Sequence, residues 1–251
     1  MVTNVIIVLD NSTKSLQIRA YELHSSYTWN LARKIKKNFL SLSADMKITE
    51  ALFSGSSTRI SEKPKQKFPE FAFIGRSNVG KSSLINMLCK NRKLAMTSSK
   101  PGKTKLVNHF LINRQWYLVD LPGYGYAKMS ATGKQKLEQV IRNYINLSQE
   151  MVMLFVLIDA RHDIGQIDLD FLIELGQGQI PFAIIFTKGD KLGPNALAAQ
   201  IEKNKQKILE LWEELPPVFV SSSENGQGRE DILNYIESVL KTLENNEGDN
   251  N

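Results

Sequence analysis

The sequence predicts an α/β fold, a mostly parallel six-stranded sheet with one antiparallel strand and helices on both faces. Three observations predict it. From Phe68 onward, apolar strand-like runs alternate with segments of helical period. A glycine-rich loop joins the first run to the first helix, and two successive runs are separated only by the short turn Asn113-Arg-Gln115, which indicates a hairpin.

In order, the strand-like runs are Phe71–Ile74, Leu106–Ile112, Trp116–Val119, Met151–Ile158, Phe182–Phe186 and Val218–Val220. Between them, Leu137, Val140, Ile141, Tyr144 and Ile145 share one helical face. So do Leu197, Ile201, Ile208, Leu211, Trp212 and Leu215, and later Ile232, Tyr235, Ile236, Val239 and Leu240. Strands separated by helices must run parallel and bury both faces of their sheet.

The flanking segments differ. Residues 1–45 hold a strand-like run at Val5–Leu9 and a basic stretch, Arg33–Lys37, within a candidate amphipathic helix (Trp29, Ala32, Ile35, Phe39, Leu42). This extension is expected to be disordered or to precede a true start at Met46. Residues 46–68 read as a leader strand and basic linker, 69–243 as the nucleotide-binding domain and 244–251 as a disordered acidic tail.

Composition excludes several classes. The chain has 251 residues, 42% hydrophobic and 23% charged, enough for a sizeable core. No apolar run reaches the roughly 18–20 residues that span a bilayer. The single cysteine, Cys89, excludes a disulfide framework and a multi-cysteine metal site and reads as a small core residue. A cytoplasmic monomer is expected. The net charge of +6 favours a polyanionic partner without identifying it.

Gly75-Arg76-Ser77-Asn78-Val79-Gly80-Lys81-Ser82 fits G-x-x-x-x-G-K-[ST] between a strand and a helix. Its glycines let backbone N–H groups converge on phosphate oxygens, and the helix N-terminus adds partial positive charge. Lys81 reaches the outer phosphates and the Ser82 hydroxyl can ligate Mg²⁺. A nucleoside phosphate is the expected ligand. Asp120-Leu121-Pro122-Gly123 ends the strand Trp116–Val119. Its acid can hold Mg²⁺ through water, and the Gly123 N–H can meet a γ-phosphate.

Thr187-Lys188-Gly189-Asp190 follows the strand Phe182–Phe186. A carboxylate at Asp190 can accept from N1–H and the exocyclic amine of guanine, donors that adenine lacks there. The Lys188 stem can cover the purine face. Ser221, Ser222 and Ser223 close the last strand and can direct a backbone N–H at guanine O6. Between Lys90 and Lys105, six cations and no acid surround Thr104, a candidate second Mg²⁺ ligand. Those cations meet either RNA or solvent. His109 and His162 have no partner nearby in sequence and read as structural or surface residues; Trp116 and Trp212 read as packing.

Taken in this order, the motifs resemble those of translation-factor-related P-loop GTPases and, more narrowly, of the EngB (YihA/YsxC) family. The resemblance covers about Met46 to Leu243 and rests on Phe73–Asn86, Pro101–Lys105, Asp120–Tyr126 and Asp159–His162. It implies a G domain that binds GTP and GDP, with Gly102, Lys103, Thr104, Lys105 and Leu106 joining the nucleotide site and Mg²⁺ held by Ser82 and Thr104. It also implies a switch in assembly of the large ribosomal subunit or its rRNA-containing precursor, and a need for the protein in division and septation.

Many such GTPases place a glutamine after the Asp-x-x-Gly glycine to orient water; here Tyr124 stands there, so slow intrinsic hydrolysis is expected. Asn78 occupies a position that related GTPases use for K⁺, or else is an ordinary loop residue. Lys81, Thr104 and Asn78 are therefore the catalytic candidates. A small-molecule P-loop kinase and a non-hydrolysing scaffold at the division site are the competing readings.

Overall fold

The computed structural model describes residues 4–10, 15–21, 46–96, 106–125 and 130–248. Strands β1 (Asn4–Asp10) and β2 (Ser15–Tyr21) form a separate two-stranded antiparallel sheet, with Asn4 opposite Tyr21 and Asp10 opposite Ser15. Both strands lie within the N-terminal extension of residues 1–45. Its run Val5-Ile-Ile-Val8 favours extended backbone. The candidate basic helix, Trp29 to Leu42, lies outside the described residues.

The main sheet is built from β3 (Ala51–Ser57), β4 (Glu70–Gly75), β5 (Val107–Ile112), β6 (Trp116–Asp120), β7 (Met151–Asp159), β8 (Phe182–Thr187) and β9 (Val218–Val220). Its order is β3-β5-β6-β4-β7-β8-β9. Strand β5 alone runs against the others, pairing antiparallel with β3 and β6. The sheet thus has seven strands rather than six, the addition being the leader strand at its edge. That strand is anchored by the hairpin turn. Asn113 and Arg114 have positive φ, Asn113 Oδ1 accepts from the Thr49 and Glu50 N–H groups, and Arg114 Nε pairs with Glu50 at 2.8 Å.

Helices α1 (Lys81–Leu88), α2 (Ala131–Leu147), α3 (Gln166–Gln177), α4 (Pro194–Leu209) and α5 (Arg229–Gly248) cover the sheet. Successive residues of β4 point to opposite faces, as the period of two requires. Phe71 and Phe73 join a core with Leu84, Leu88, Ile232 and Ile236 from α1 and α5. Ala72 and Ile74 join a second core with Leu137, Ile141, Leu172 and Ile201 from α2, α3 and α4. Helix α5 runs to Gly248, past residue 243. Leu243 still packs on the core, and no helix-breaker follows it before Gly248. Trp116 is fully buried edge-on to Phe71, and Trp212 meets Phe182, the packing roles their patterns indicate. Cys89 is buried, which pushes its thiol up to about 12.

The polar stretch read as a linker is docked rather than loose. Lys63 is buried against Glu70 at 2.7 Å and Glu150 at 2.8 Å. The Tyr144 and Ser148 hydroxyls donate to Glu70 Oε2, and His109, fully buried, lies 3.3 Å from the Tyr144 hydroxyl. This paired network sits at the N-terminal end of β4, leaving the carboxyl ends of the parallel strands to the candidate site.

Candidate nucleotide-binding site

The carboxyl ends of β4, β6, β7, β8 and β9 converge, the edge at which open α/β sheets bind ligands. Gly75 ends β4, and a Cβ there would lie 2.7 Å from the Leu157 carbonyl oxygen and 2.9 Å from Val79 Cγ1. Only glycine lets the loop leave the strand so tightly. Asn78 has φ 64° and Gly80 φ 104°, so the chain turns through left-handed conformations before α1 starts at Lys81. Gly80 gives α1 no side-chain cap, so the first-turn N–H groups remain available to an anion.

Lys81 is buried and its ammonium pairs with Asp120 Oδ1. Burial pushes that ammonium down to about 7, and the carboxylate beside it supplies the countercharge. Strand register creates the pair: Phe73 lies beside Asp120, and the Leu121 N–H continues the contact by donating to the Phe73 carbonyl at 3.0 Å. Asn108, opposite Asp120 on β5, donates to its second oxygen at 3.4 Å.

Tyr124 is 8% exposed, and its side chain is turned onto α3. Its hydroxyl donates to Asp168 at 2.8 Å and its ring stacks on Phe171 at 4.6 Å. Burial and the Asp168 carboxylate raise the phenol well above its ordinary range, so it stays a donor. Arg76 lies 3.9 Å from the other Asp168 oxygen.

At the base end, the Thr187 hydroxyl donates to the Val79 carbonyl at 2.7 Å, tying β8 to the phosphate loop. Lys188, at φ 62°, sends its ammonium to the Asn78 carbonyl at 2.7 Å and to Asp159 Oδ2 at 2.9 Å. The Ser222 hydroxyl donates to Asp190 Oδ1 at 2.6 Å, and Lys191 pairs with Oδ2 at 2.8 Å. Those two partners, Lys191 first, hold the Asp190 carboxyl below the usual carboxylate range. The Gly189 N–H donates to the Ser221 carbonyl at 3.0 Å, while Ser223 is exposed and makes no such contact. Of the three serines, Ser221 and Ser222 therefore meet the Thr187–Asp190 turn.

The fold thus brings Gly75–Ser82, Asp120–Gly123, Thr187–Asp190 and Ser221–Ser222 to one edge. Leu106 is exposed at the start of β5; Gly102, Lys103, Thr104 and Lys105 lie outside the described residues. His162 is exposed beside a cleft of about 200 Å³ lined also by Arg76, Asn78, Asp159 and Asp168. The His109 side chain lies in the buried network with Tyr144 and Glu70. Sequence reasoning gave no role to Asn108, Asp159, Arg161 or Asp168. Asp159 and Arg161 carried a signal, as members of the Asp159–His162 string.

A phosphate-binding loop, an acid on the adjoining strand end and a carboxylate held at the base turn define the P-loop GTPase class. Residues 70–188 match the family described as 50S ribosome-binding GTPase. The chain belongs to the EngB family of GTP-binding proteins. It is 54% identical over 198 residues to the probable GTP-binding protein EngB of Porphyromonas gingivalis, covering 79% of this chain and 98% of that protein. With the EngB protein of Bacteroides thetaiotaomicron it shares 54% identity over 201 residues, 80% of this chain and all of the other.

Solved structures agree in fold. A probable GTP-binding protein engB superposes with TM-score 0.56 at 23% identity, over 69% of this chain and 99% of that one. Era in complex with MgGDPNP and nucleotides 1506–1542 of 16S ribosomal RNA superposes with TM-score 0.53 at 23% identity, over 70% and 57%. Among the described residues, no helix is long and apolar enough to cross a membrane.

Proposed function

We propose that this chain binds GTP and GDP, hydrolyses GTP slowly with Mg²⁺, and acts in the cytoplasm, as a monomer, as a switch in assembly of the large ribosomal subunit, with division and septation depending on it. One observation carries the nucleotide reading: Asp190, fixed by Ser222, stands on the turn after β8 and Lys81, beside Asp120, ends the phosphate loop, and Lys188 and Thr187 tie the two segments together.

Each residue then has a task. The α1 N-terminus and Lys81 hold the phosphates, with Lys81 passing from Asp120 to the incoming anion. Asp190 accepts from the guanine edge and the Lys188 stem covers the purine. The oxygen donors Ser82 and Asp120 suit a hard cation, with Thr104 as a further ligand. Bound there, Mg²⁺ supplies charge neutralisation at the outer phosphates. Tyr124 orients no water, because its hydroxyl is committed to Asp168. Asn78 supplies a K⁺ contact in its place, which makes hydrolysis K⁺-stimulated.

A ribosomal partner is supported by charge on an ordered turn. Buried Asn86 bonds the Arg92 and Ala95 carbonyls and the Ala95 N–H, fixing a loop on which Lys90, Arg92 and Lys93 are exposed. None of these three pairs with an acid among the described residues, the pattern that RNA phosphates exploit. Cosedimentation with large ribosomal subunits in GDP and in a non-hydrolysable GTP analogue tests the switch. Binding that favours the analogue supports it; equal binding in both states leaves a scaffold.

A further inference from the structure

We propose that Asp159, locked by Arg161, is a positioning residue for the nucleotide base, holding the Lys188 side chain across the site so that its stem is already placed to stack on a purine. The inference rests on reading Thr187–Asp190 as the base-recognition turn and adds two residues outside that turn.

The geometry is specific. Asp159 ends β7 directly beside Thr187, the last residue of β8, so its carboxylate faces the turn that carries Lys188. Lys188 Nζ donates to Asp159 Oδ2 at 2.9 Å and to the Asn78 carbonyl at 2.7 Å. The lysine therefore bridges the base turn and the phosphate loop. A free lysine samples many rotamers; two fixed acceptors remove that freedom before the ligand arrives.

Asp159 is itself held from both oxygens. Arg161 Nε meets Oδ1 at 2.9 Å, Arg161 Nη2 meets Oδ2 at 2.7 Å, and the Arg161 N–H donates to Oδ1 at 3.1 Å. This bidentate fork two residues along the chain fixes the plane of the carboxylate. Although burial opposes it, the bonds from Arg161 and Lys188 keep Asp159 ionised far below the usual carboxylate range. The acid touches neither the expected base edge nor the phosphates; it acts through Lys188.

A stacking lysine serves any purine, whereas Asp190 reads the exocyclic amine of guanine. Inosine diphosphate lacks that amine, so the GDP-to-IDP affinity ratio separates the two effects. The experiment titrates the full chain, wild type and variants, with GDP, GTP and IDP in competition with a fluorescent GDP. Asp159→Ala is expected to weaken all three by about tenfold, with the GDP-to-IDP ratio unchanged. Asp159→Asn, which keeps an acceptor oxygen, recovers part of that loss.

Arg161→Ala removes a half-exposed side chain, so the fold does not depend on it. It is expected to weaken the three nucleotides by a smaller common factor, about threefold. Unchanged affinities in Asp159→Ala and Arg161→Ala overturn the inference. So does a loss that alters the GDP-to-IDP ratio, because that places the damage in the Asp190 turn. Failure of the wild type to bind guanine nucleotides at all instead refutes the reading of the turn itself.

Discussion

The Tyr124 hydroxyl is bonded to Asp168 at 2.8 Å, which commits the side chain following the Asp-x-x-Gly glycine to helix α3. Tyr124→Phe should therefore leave single-turnover GTP hydrolysis within about twofold of wild type, while depriving a buried carboxylate of its donor at about 1–3 kcal/mol in stability. Quenched-flow rates and thermal melts check both. A tenfold loss of rate with unchanged stability would instead give the phenol a chemical role.

Asn78 stands exposed at φ 64° between Ser77 and Val79, and its carbonyl is occupied by Lys188. Its side-chain amide is then the group left for a monovalent cation. Hydrolysis should be faster in KCl than in NaCl of equal ionic strength, and Asn78→Ala should abolish the difference. Equal rates in the two salts for wild type remove the K⁺ contact from the account.

Asp190 is an acceptor fixed by Ser222. Replacing it with Asn converts one acceptor into a donor, which suits the oxygen that xanthine carries in place of the guanine amine. Asp190→Asn should lose GDP affinity by about a hundredfold or more and gain xanthosine diphosphate binding, measured by calorimetry.

His109 is pushed from 6.5 down to about 4, first by burial and then by Lys63. Across that window the unfolded chain takes up a proton that the folded chain refuses, so stability falls as pH drops from 6.5 toward 4. The contribution is about 3 kcal/mol. Urea unfolding at a series of pH values should show this slope in wild type, and His109→Asn should flatten it by about one proton. An unchanged slope would move the acid sensitivity to other groups.

Much of this architecture is legible locally. The phosphate loop, Asp120 and the Thr187–Asp190 turn are short strings whose chemistry depends on spacing within one segment. What lies between them depends on register, which single segments do not encode. Asn108 meets Asp120 because β5 folds back along β6. Asp168 meets Tyr124 from the next helix over, and Asp159 meets Lys188 only because β7 and β8 are parallel neighbours. The same reason hid the place of the leader strand in the main sheet: β3 pairs with β5 in a register set by the distant Asn113 turn.

The central claim is that Asp190 reads a guanine edge while the loop ending at Lys81 grips the phosphates. Equilibrium titration of the full chain with GDP and ADP, at the same salt and magnesium, tests it most directly. Affinity for GDP is expected to exceed that for ADP by about a thousandfold or more. Comparable affinities for the two diphosphates would contradict it.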